Sequence, residues 1–170
     1  MRSSSKSVVL DVDTRPPALQ LANLNDGARV GQEVLTVQGV AEPEAVVWVN
    51  DDPQPLTADS QGRFTLQRKL VEGSNLIRVR AVDAAGNSAV LQREVVLVTT
   101  PPDVTITQPA EGLWTNQSIL NLQGHASPGV TVMVNEQPVT IDENGDFKRE
   151  LLLNEGQNTV RVQATDDVGN

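Results

Sequence analysis

An internal repeat constrains the fold of this chain more than any other feature. Residues 70–87 read LVEGSNLIRVRAVDAAGN, and residues 153–170 read LNEGQNTVRVQATDDVGN. Each copy begins with a Glu-Gly-x-Asn turn, continues with alternating apolar and polar residues, and ends at Asp-x-x-Gly-Asn. Strict alternation is typical of a β-strand that is buried on one face only. The repeat therefore predicts two copies of one small β module in tandem.

The first copy contains seven runs with the composition and length of short strands. We predict strands at residues 18–24, 34–40, 45–50, 54–58, 63–70, 75–83 and 88–98. The turns between them carry Gly, Pro, Asn and Asp, each of which suits a particular turn conformation. The pattern predicts an all-β chain of two tandem antiparallel β-sandwiches with almost no helix.

The inward positions of these strands define the expected core. In the first copy they are Leu35, Val37, Val47, Val49, Phe64, Ile77, Val79 and Ala81. In the second copy they are Leu120, Leu122, Val132, Val134, Phe147, Val160, Val162 and Ala164. Two cores of this size suit modules that fold without metal or disulfide.

The chain contains two proline pairs, Pro16-Pro17 and Pro101-Pro102, and each pair follows a similar apolar segment. Proline supplies no ladder donor and favours extended geometry in the residue before it, so each pair ends a strand. The expected organisation is residues 1–15 as the last strand of a preceding repeat with a linker, 16–98 as module one, 99–102 as a linker and 103–170 as module two.

Module two stops at Asn170, before any counterpart of residues 88–98. Its sheet would then carry an unpaired edge, and such an edge recruits another strand. Residues 7–13 would either extend the first strand of module one or dock onto module two of another molecule. Alternatively, a further repeat follows, because tandem arrays commonly exceed two units.

Composition excludes several classes of partner and site. The formal net charge is −9 and no Lys/Arg cluster stands out, so we expect neither nucleic acid nor an anionic membrane surface as a partner. The chain has no cysteine, which excludes disulfides and thiolate chemistry. No apolar run is long enough to cross a bilayer, and an export signal would lie outside this segment.

Both copies carry the same series of motifs. In the first copy these are Gly39, Val47-x-Val49-Asn50, Asp59-x-x-Gly62-x-Phe64, Glu72-Gly73-x-Asn75 and Ala81-x-Asp83-x-x-Gly86-Asn87. In the second copy they are Gly124, Val132-x-Val134-Asn135, Asp142-x-x-Gly145-x-Phe147, Glu155-Gly156-x-Asn158 and Ala164-x-Asp166-x-x-Gly169-Asn170.

With the proline pairs, this series resembles bacterial immunoglobulin-like repeats of the glucodextranase B-domain type, which occur beside catalytic domains of secreted enzymes and in surface proteins. The resemblance implies immunoglobulin-like sandwiches in an extracellular or cell-surface protein. It names no ligand, because such modules serve as spacers, adhesins and carbohydrate contacts.

Four aspartates in turns or linkers are candidate calcium ligands: Asp26 and Asp51 from module one, and Asp103 and Asp166 from module two. The predicted strand directions would bring them to the junction of the modules, and calcium takes about six to eight oxygen ligands. Ordinary turn chemistry explains the same residues, because an Asp side chain bonds nearby backbone groups. We expect no other cofactor.

The two tryptophans are candidate sugar-binding residues. Alternation places Trp48 on the outer face of its strand, where the second copy has Met133, and Trp114 lies in a loop where the first copy has Arg29. Neither position is aromatic in both copies, so isolated surface or junction tryptophans are the alternative.

Catalysis is not expected. The single histidine, His125, is interpreted as a surface residue at a strand end, and no Ser or carboxylate in the sequence is marked as its partner. The function that these observations favour is a non-catalytic spacer or interaction stalk joined to neighbouring repeats or other domains of a longer bacterial protein. The alternative is a carbohydrate-binding accessory module of a secreted glycoside hydrolase, with polysaccharide as its partner.

Overall fold

The computed structural model describes residues 6–50 and 52–170 and divides the chain into two compact units, Met1–Leu97 (unit 1) and Val98–Asn170 (unit 2). Every regular element in the described residues is a strand, so this part of the chain has no helix that could cross a membrane. The all-β prediction is confirmed.

The described residues of unit 1 form eight strands. They are β1 (Leu19–Leu21), β2 (Ala28–Val30), β3 (Val34–Ala41), β4 (Val46–Val49), β5 (Leu56–Thr57), β6 (Arg63–Lys69), β7 (Gly73–Val82) and β8 (Ser88–Leu97). One sheet has the order β1-β3-β6 and the other the order β2-β8-β7-β4-β5. Residues from both sheets form one continuous core, which makes unit 1 a β-sandwich.

One strand of unit 1 was not predicted from the sequence. β2 has only three residues and lies parallel to the end of β8, with Ala28 opposite Val95 and Val30 opposite Leu97. Three residues are too few to show an alternation pattern, so the pairing emerges only when β8 is in place. The other predicted strands of unit 1 are present, although β1 and β5 are shorter than expected.

Unit 2 has six strands. They are β9 (Val104–Gln108), β10 (Ile119–Ala126), β11 (Thr131–Val134), β12 (Gln137–Val139), β13 (Asp146–Leu152) and β14 (Val162–Thr165). Its sheets have the orders β13-β10-β9 and β12-β11-β14. Unit 2 thus repeats the sandwich of unit 1 without counterparts of β2 and β8.

A phenylalanine packed over a glycine fixes the register of one strand pair in each unit. Phe64 on β6 lies opposite Gly39 on β3, and Phe147 on β13 lies opposite Gly124 on β10. A Cβ atom on either glycine would overlap the tip of the facing ring and a backbone carbonyl of the neighbouring strand. The two glycines therefore provide the space that the phenylalanines fill.

The predicted core is confirmed in unit 1 and only partly in unit 2. All eight predicted positions of unit 1 are buried, together with Val95 and Leu97 of β8. In unit 2, Leu122, Val132, Val134 and Phe147 are buried. The other four predicted core residues of unit 2 are only partly buried: Leu120, Val160, Val162 and Ala164. The last three lack the cover that β8 gives to their counterparts.

The predicted strand at residues 7–13 is wrong for this structure. Residues 6–16 are exposed and belong to no β-ladder, so they do not extend β1. Val8, Val9, Leu10 and Val12 are each at least 80% exposed, and the segment contacts unit 1 through a hydrogen bond from Asn87 Nδ2 to Asp13 O of 3.1 Å. Docking onto another molecule stays a prediction, which sizing the protein with and without residues 1–13 would test.

Candidate functional site

The Asp-x-x-Gly motifs shared by both units hold tight turns between strands of the two different sheets. Asp59 Oδ1 accepts hydrogen bonds from the backbone N–H of Gln61 and Arg63, both at 2.8 Å. In unit 2, Asp142 Oδ1 accepts from Asn144 and Asp146, both at 2.9 Å. Both carboxylates thus stabilise the turns in which they lie.

The asparagines shared by both units are also structural. Asn50 lies at φ 53° and Asn135 at φ 48°, a region that asparagine tolerates better than most residues. Asn50 Oδ1 accepts from the N–H of Arg78 at 2.9 Å, and Asn135 Oδ1 accepts from Arg161 at 2.8 Å. Each asparagine therefore ties the end of one strand to its neighbour.

The Asp-x-x-Gly-Asn loops of the two units are closed by the same hydrogen bonds between their Asp and Asn residues. Asp83 accepts hydrogen bonds from the backbone N–H and the side-chain Nδ2 of Asn87, at 2.8 and 3.0 Å. Asp166 is held in the same way by Asn170, at 2.8 and 3.0 Å.

These contacts shift the pKa of both loop aspartates. Desolvation raises the pKa of each carboxyl group, but the hydrogen bonds from the following asparagine and neighbouring N–H groups outweigh it. The pKa values of Asp83 and Asp166 therefore lie below the usual value.

Two of the predicted calcium ligands, Asp26 and Asp166, use their carboxylates to accept backbone hydrogen bonds. Asp26 Oδ1 accepts a hydrogen bond from the N–H of Glu94 at 2.8 Å, and Asp166 closes its own loop. The N–H of Asp103 donates to Ser127 Oγ at 3.2 Å, and Asp51 lies outside the described residues. Among residues 6–50 and 52–170, no three His, Cys, Asp or Glu side chains come close enough to hold a metal ion. The calcium site stays a prediction.

Trp48 lies on the outer face of β4, as the sequence predicted, while Val47 and Val49 point into the core. Its cross-strand neighbour on β7 is Arg80, whose Cζ lies 4.6 Å from the centroid of the Trp48 ring. This distance is typical of a cation–π pair. One face of the indole is therefore occupied by a guanidinium group.

A concavity of about 300 Å³ opens next to this pair on the outer face of unit 1. Its lining residues are Trp48, Asn50, Asp52, Arg78 and Arg80. Arg78 and Arg80 occupy alternate positions of β7, so their side chains leave the same face of the sheet. The concavity thus combines two guanidinium groups with one aromatic ring.

An ion pair closes one side of the concavity. Asp52 pairs with Arg68, which also donates a hydrogen bond from Nη2 to Val49 O at 2.9 Å. A hydrogen bond from the N–H of Gln54, followed by that from Arg68, holds the pKa of Asp52 below its usual value. The carboxylate of Asp52 is therefore ionised at neutral pH and already has a cationic partner.

Sequence reasoning missed this group of residues because alternation marks Arg78 and Arg80 only as outward positions of a strand. The signal that could have found them is the strand register, which places Arg80 directly opposite Trp48. Arg68 and Asp52 are distant in sequence and pair only in the folded chain. No local pattern predicts such a contact.

The other candidate residues are isolated from this group. Trp114 is 97% exposed in a loop of unit 2. His125 lies on β10, and its Nδ1 is 3.0 Å from Asp146 Oδ1 on the neighbouring strand. The surface position of His125 is confirmed, but Asp146 is a partner that the sequence did not indicate. A single exposed His–Asp contact provides no nucleophile.

Two tandem sandwiches whose shared polar residues hold turns define a protein of the immunoglobulin-like β-repeat class. The chain belongs to the family described as glucodextranase, domain B, whose model matches residues 17–99 and again residues 102–170.

The chain is also similar to Bacillopeptidase F of Bacillus subtilis strain 168, with 27% identity over 165 residues. That match covers 94% of this chain but only 11% of the relative. Among solved structures, the fibronectin(III)-like modules of Clostridium thermocellum CbhA are similar at a TM-score of 0.52 and 18% identity, covering 89% of this chain and 87% of theirs. At this identity the likeness shows the fold alone.

Proposed function

We propose that this chain is a non-catalytic accessory segment of a longer extracellular bacterial protein, in which tandem sandwiches act as a structural spacer. The observation that carries the proposal is the use of the shared polar residues. Asp59, Asn50, Asp83 and their counterparts in unit 2 bond the backbone of their own unit, so the fold accounts for their presence in both copies. The polar residues that both copies share therefore stabilise the fold, as expected of repeated modules that supply length.

Two comparisons support the accessory role. The family takes its name from one domain of a larger protein, glucodextranase, and the chain spans about a tenth of Bacillopeptidase F, which is also much longer. Short proline-containing connections between sandwiches restrict hinge motion, so an array of them separates what lies at its two ends.

The spacer function can be tested by comparing two variants of the longer protein, one in which this segment is replaced and one in which it is deleted. Replacing residues 16–170 by two unrelated sandwich modules of equal length should preserve the activity of the attached domain on its natural, immobilised target. Deleting the same residues should lower that activity but leave turnover of a small soluble substrate unchanged. If the replacement fails as completely as the deletion, the segment has a specific function and the spacer proposal is wrong.

A second candidate function is contact with a polysaccharide, and the concavity beside Trp48 favours it. Tryptophan fluorescence titrated with polysaccharides would detect such contact directly. Saturable quenching that is abolished by Trp48→Ala or Trp114→Ala would show that the chain does more than separate its neighbours. Unchanged fluorescence with every polysaccharide would reject this contact, and the spacer would remain as the proposed function.

A further inference from the structure

We propose that the concavity on the outer face of unit 1 binds the carboxylate groups of an acidic polysaccharide through Arg78 and Arg80. The inference deepens the second candidate function and rests on it, because it adds the chemical class of glycan to a proposed glycan contact.

Arg80 is held in an orientation that suits an anion. Its guanidinium lies against the Trp48 ring, with Cζ 4.6 Å from the ring centroid. A guanidinium that is stacked on an aromatic face keeps N–H donors at its edges, where they match the two oxygens of a carboxylate. The ring also restricts the rotamers of Arg80, so less entropy is lost on binding. Trp48 is therefore a positioning residue in this site.

Arg78 adds a second cation in the same row. The two Cα atoms are separated by two strand positions, or roughly 7 Å. The described residues supply no carboxylate partner to Arg78 or Arg80, whereas Arg68 is paired with Asp52 and Lys69 with Glu33. Two cations along one strand, neither with a carboxylate partner among the described residues, suit a ligand that repeats its negative charge along a chain, as a polyuronate does.

The described acidic groups around the concavity are directed at residues other than Arg78 and Arg80. Asp52 is paired with Arg68. Glu94 lies on the same face opposite Leu76, and its carboxylate accepts a hydrogen bond at 2.7 Å from Ser74 Oγ, on the far side of Leu76 from Arg78. Asp51 lies outside the described residues. The net charge of −9 is spread over the chain, and salt screens distant charges beyond about 8 Å at physiological ionic strength. Short-range pairing therefore decides whether an anion binds.

Unit 2 provides an internal control. The positions of Trp48, Arg78 and Arg80 are occupied there by Met133, Arg161 and Gln163. Unit 2 thus has one guanidinium at the corresponding place, with no aromatic ring to orient it. We expect the proposed binding in unit 1 only.

The experiment titrates the full chain with polygalacturonate by calorimetry and by tryptophan fluorescence, with dextran and poly-glutamate at equal monomer concentration as comparisons. The variants are Arg78→Ala/Arg80→Ala, Arg80→Lys and Trp48→Leu, with Arg161→Ala and Gln163→Ala as matched controls. Thermal melts establish that each variant is folded.

We expect saturable binding of polygalacturonate that weakens by tenfold or more in the double variant, because hydrogen bonds to charged groups are each worth about tenfold in affinity. Arg80→Lys should weaken binding because it keeps the charge but loses the planar donor pair. Trp48→Leu should weaken binding without abolishing it, and the unit 2 variants should bind like the unmodified chain. Higher salt should lower the affinity.

Three results would overturn the proposal. If dextran binds as tightly as polygalacturonate and the double variant keeps its affinity for both, the glycan contact stands but the carboxylate site is rejected. Equal binding of poly-glutamate shows a general polyanion surface or an acidic protein partner. No binding of any ligand by the folded chain removes both this site and the glycan contact.

Discussion

Strand β7 of unit 1 and its counterpart in unit 2 have nearly the same sequence pattern but different structures. β7 has ten residues and lies between β4 and β8, and its inward side chains Ile77, Val79 and Ala81 are at most 2% exposed. β14 has four residues, lies beside β11 at the edge of its sheet, and leaves Val162 and Ala164 only partly buried.

The difference shows that the alternating pattern specifies which face points inward, whereas the neighbouring strands determine how far the strand extends. Residues 158–161 keep the pattern but lie outside the ladder, because no strand equivalent to β8 offers them hydrogen bonds. Strand formation depends on context in this way more than helix formation does. The two units therefore serve as a matched pair for experiments.

The largest expected effect is the loss of a buried phenylalanine. Phe64→Ala should lower the free energy of unfolding of unit 1 by about 3–5 kcal/mol, because it removes a large buried side chain and leaves a cavity. Phe147→Ala should cost less in unit 2, whose surrounding core is more exposed and can adjust. Chemical denaturation of the two variants measures both losses. An unchanged midpoint for Phe64→Ala would contradict the core assignment.

The next effect is a gain in unit 2. Appending a copy of SAVLQREVVL after Asn170 should provide β14 with a partner and cover Val160 and Val162. The melting temperature of unit 2 should rise, by roughly 4–8 °C for each kcal/mol gained. Hydrogen exchange of residues 158–165 should slow in parallel. A control extension with Ser at the two positions equivalent to Val95 and Leu97 should give little gain, and equal gains from both would show that side-chain cover is not the cause.

Acid should destabilise both units through their matched loops. The folded-state pKa values of Asp83 and Asp166 lie below the usual value near 3.8, so their contribution to stability is present above that pH and is lost as the pH falls through the folded-state pKa. Unfolding of each unit, followed between pH 7 and 2, should show a flat region followed by a decline at acid pH.

Asp83→Asn and Asp166→Asn separate the two loops. Each should destabilise its own unit at neutral pH and flatten the acid decline of that unit, because the titrating carboxylate is gone. A decline that is unchanged in both variants would assign the acid sensitivity to other carboxylates.

The smallest effect concerns the outer faces. Arg80→Ala should cost unit 1 about 0.5–1 kcal/mol, the usual worth of an exposed cation–π pair. Gln163→Ala, its counterpart in unit 2, should stay within about 0.5 kcal/mol of the unmodified chain. A double-mutant cycle of Trp48 and Arg80 measures the coupling, and a value of zero would show that the two side chains do not stabilise each other.

The sequence predicted what depends on local patterns and missed what depends on register. Alternation and turn residues predicted most strands of unit 1, its inward faces and the outward position of Trp48, but also a strand at residues 7–13 that the structure lacks. They could not predict the parallel pairing of β2, the contact of Arg68 with Asp52, or the partial exposure of Val160 and Val162. Each of these depends on a strand or side chain that is distant along the chain, and a pattern within one segment holds no information about it.

The phenylalanine and glycine pairs have a consequence for refolding. A one-residue slip of β6 against β3 would place the Phe64 ring opposite a residue other than Gly39, so the pair penalises mispairing within a unit. The same pair occurs in unit 2, so Gly39 would accommodate Phe147 as well as Phe64. Nothing in this contact distinguishes the two units, and misassembly is a characteristic hazard of repeat proteins. Strands exchanged between units during refolding would therefore meet no steric clash at this contact. Only residues that differ between the two copies can disfavour such an exchange.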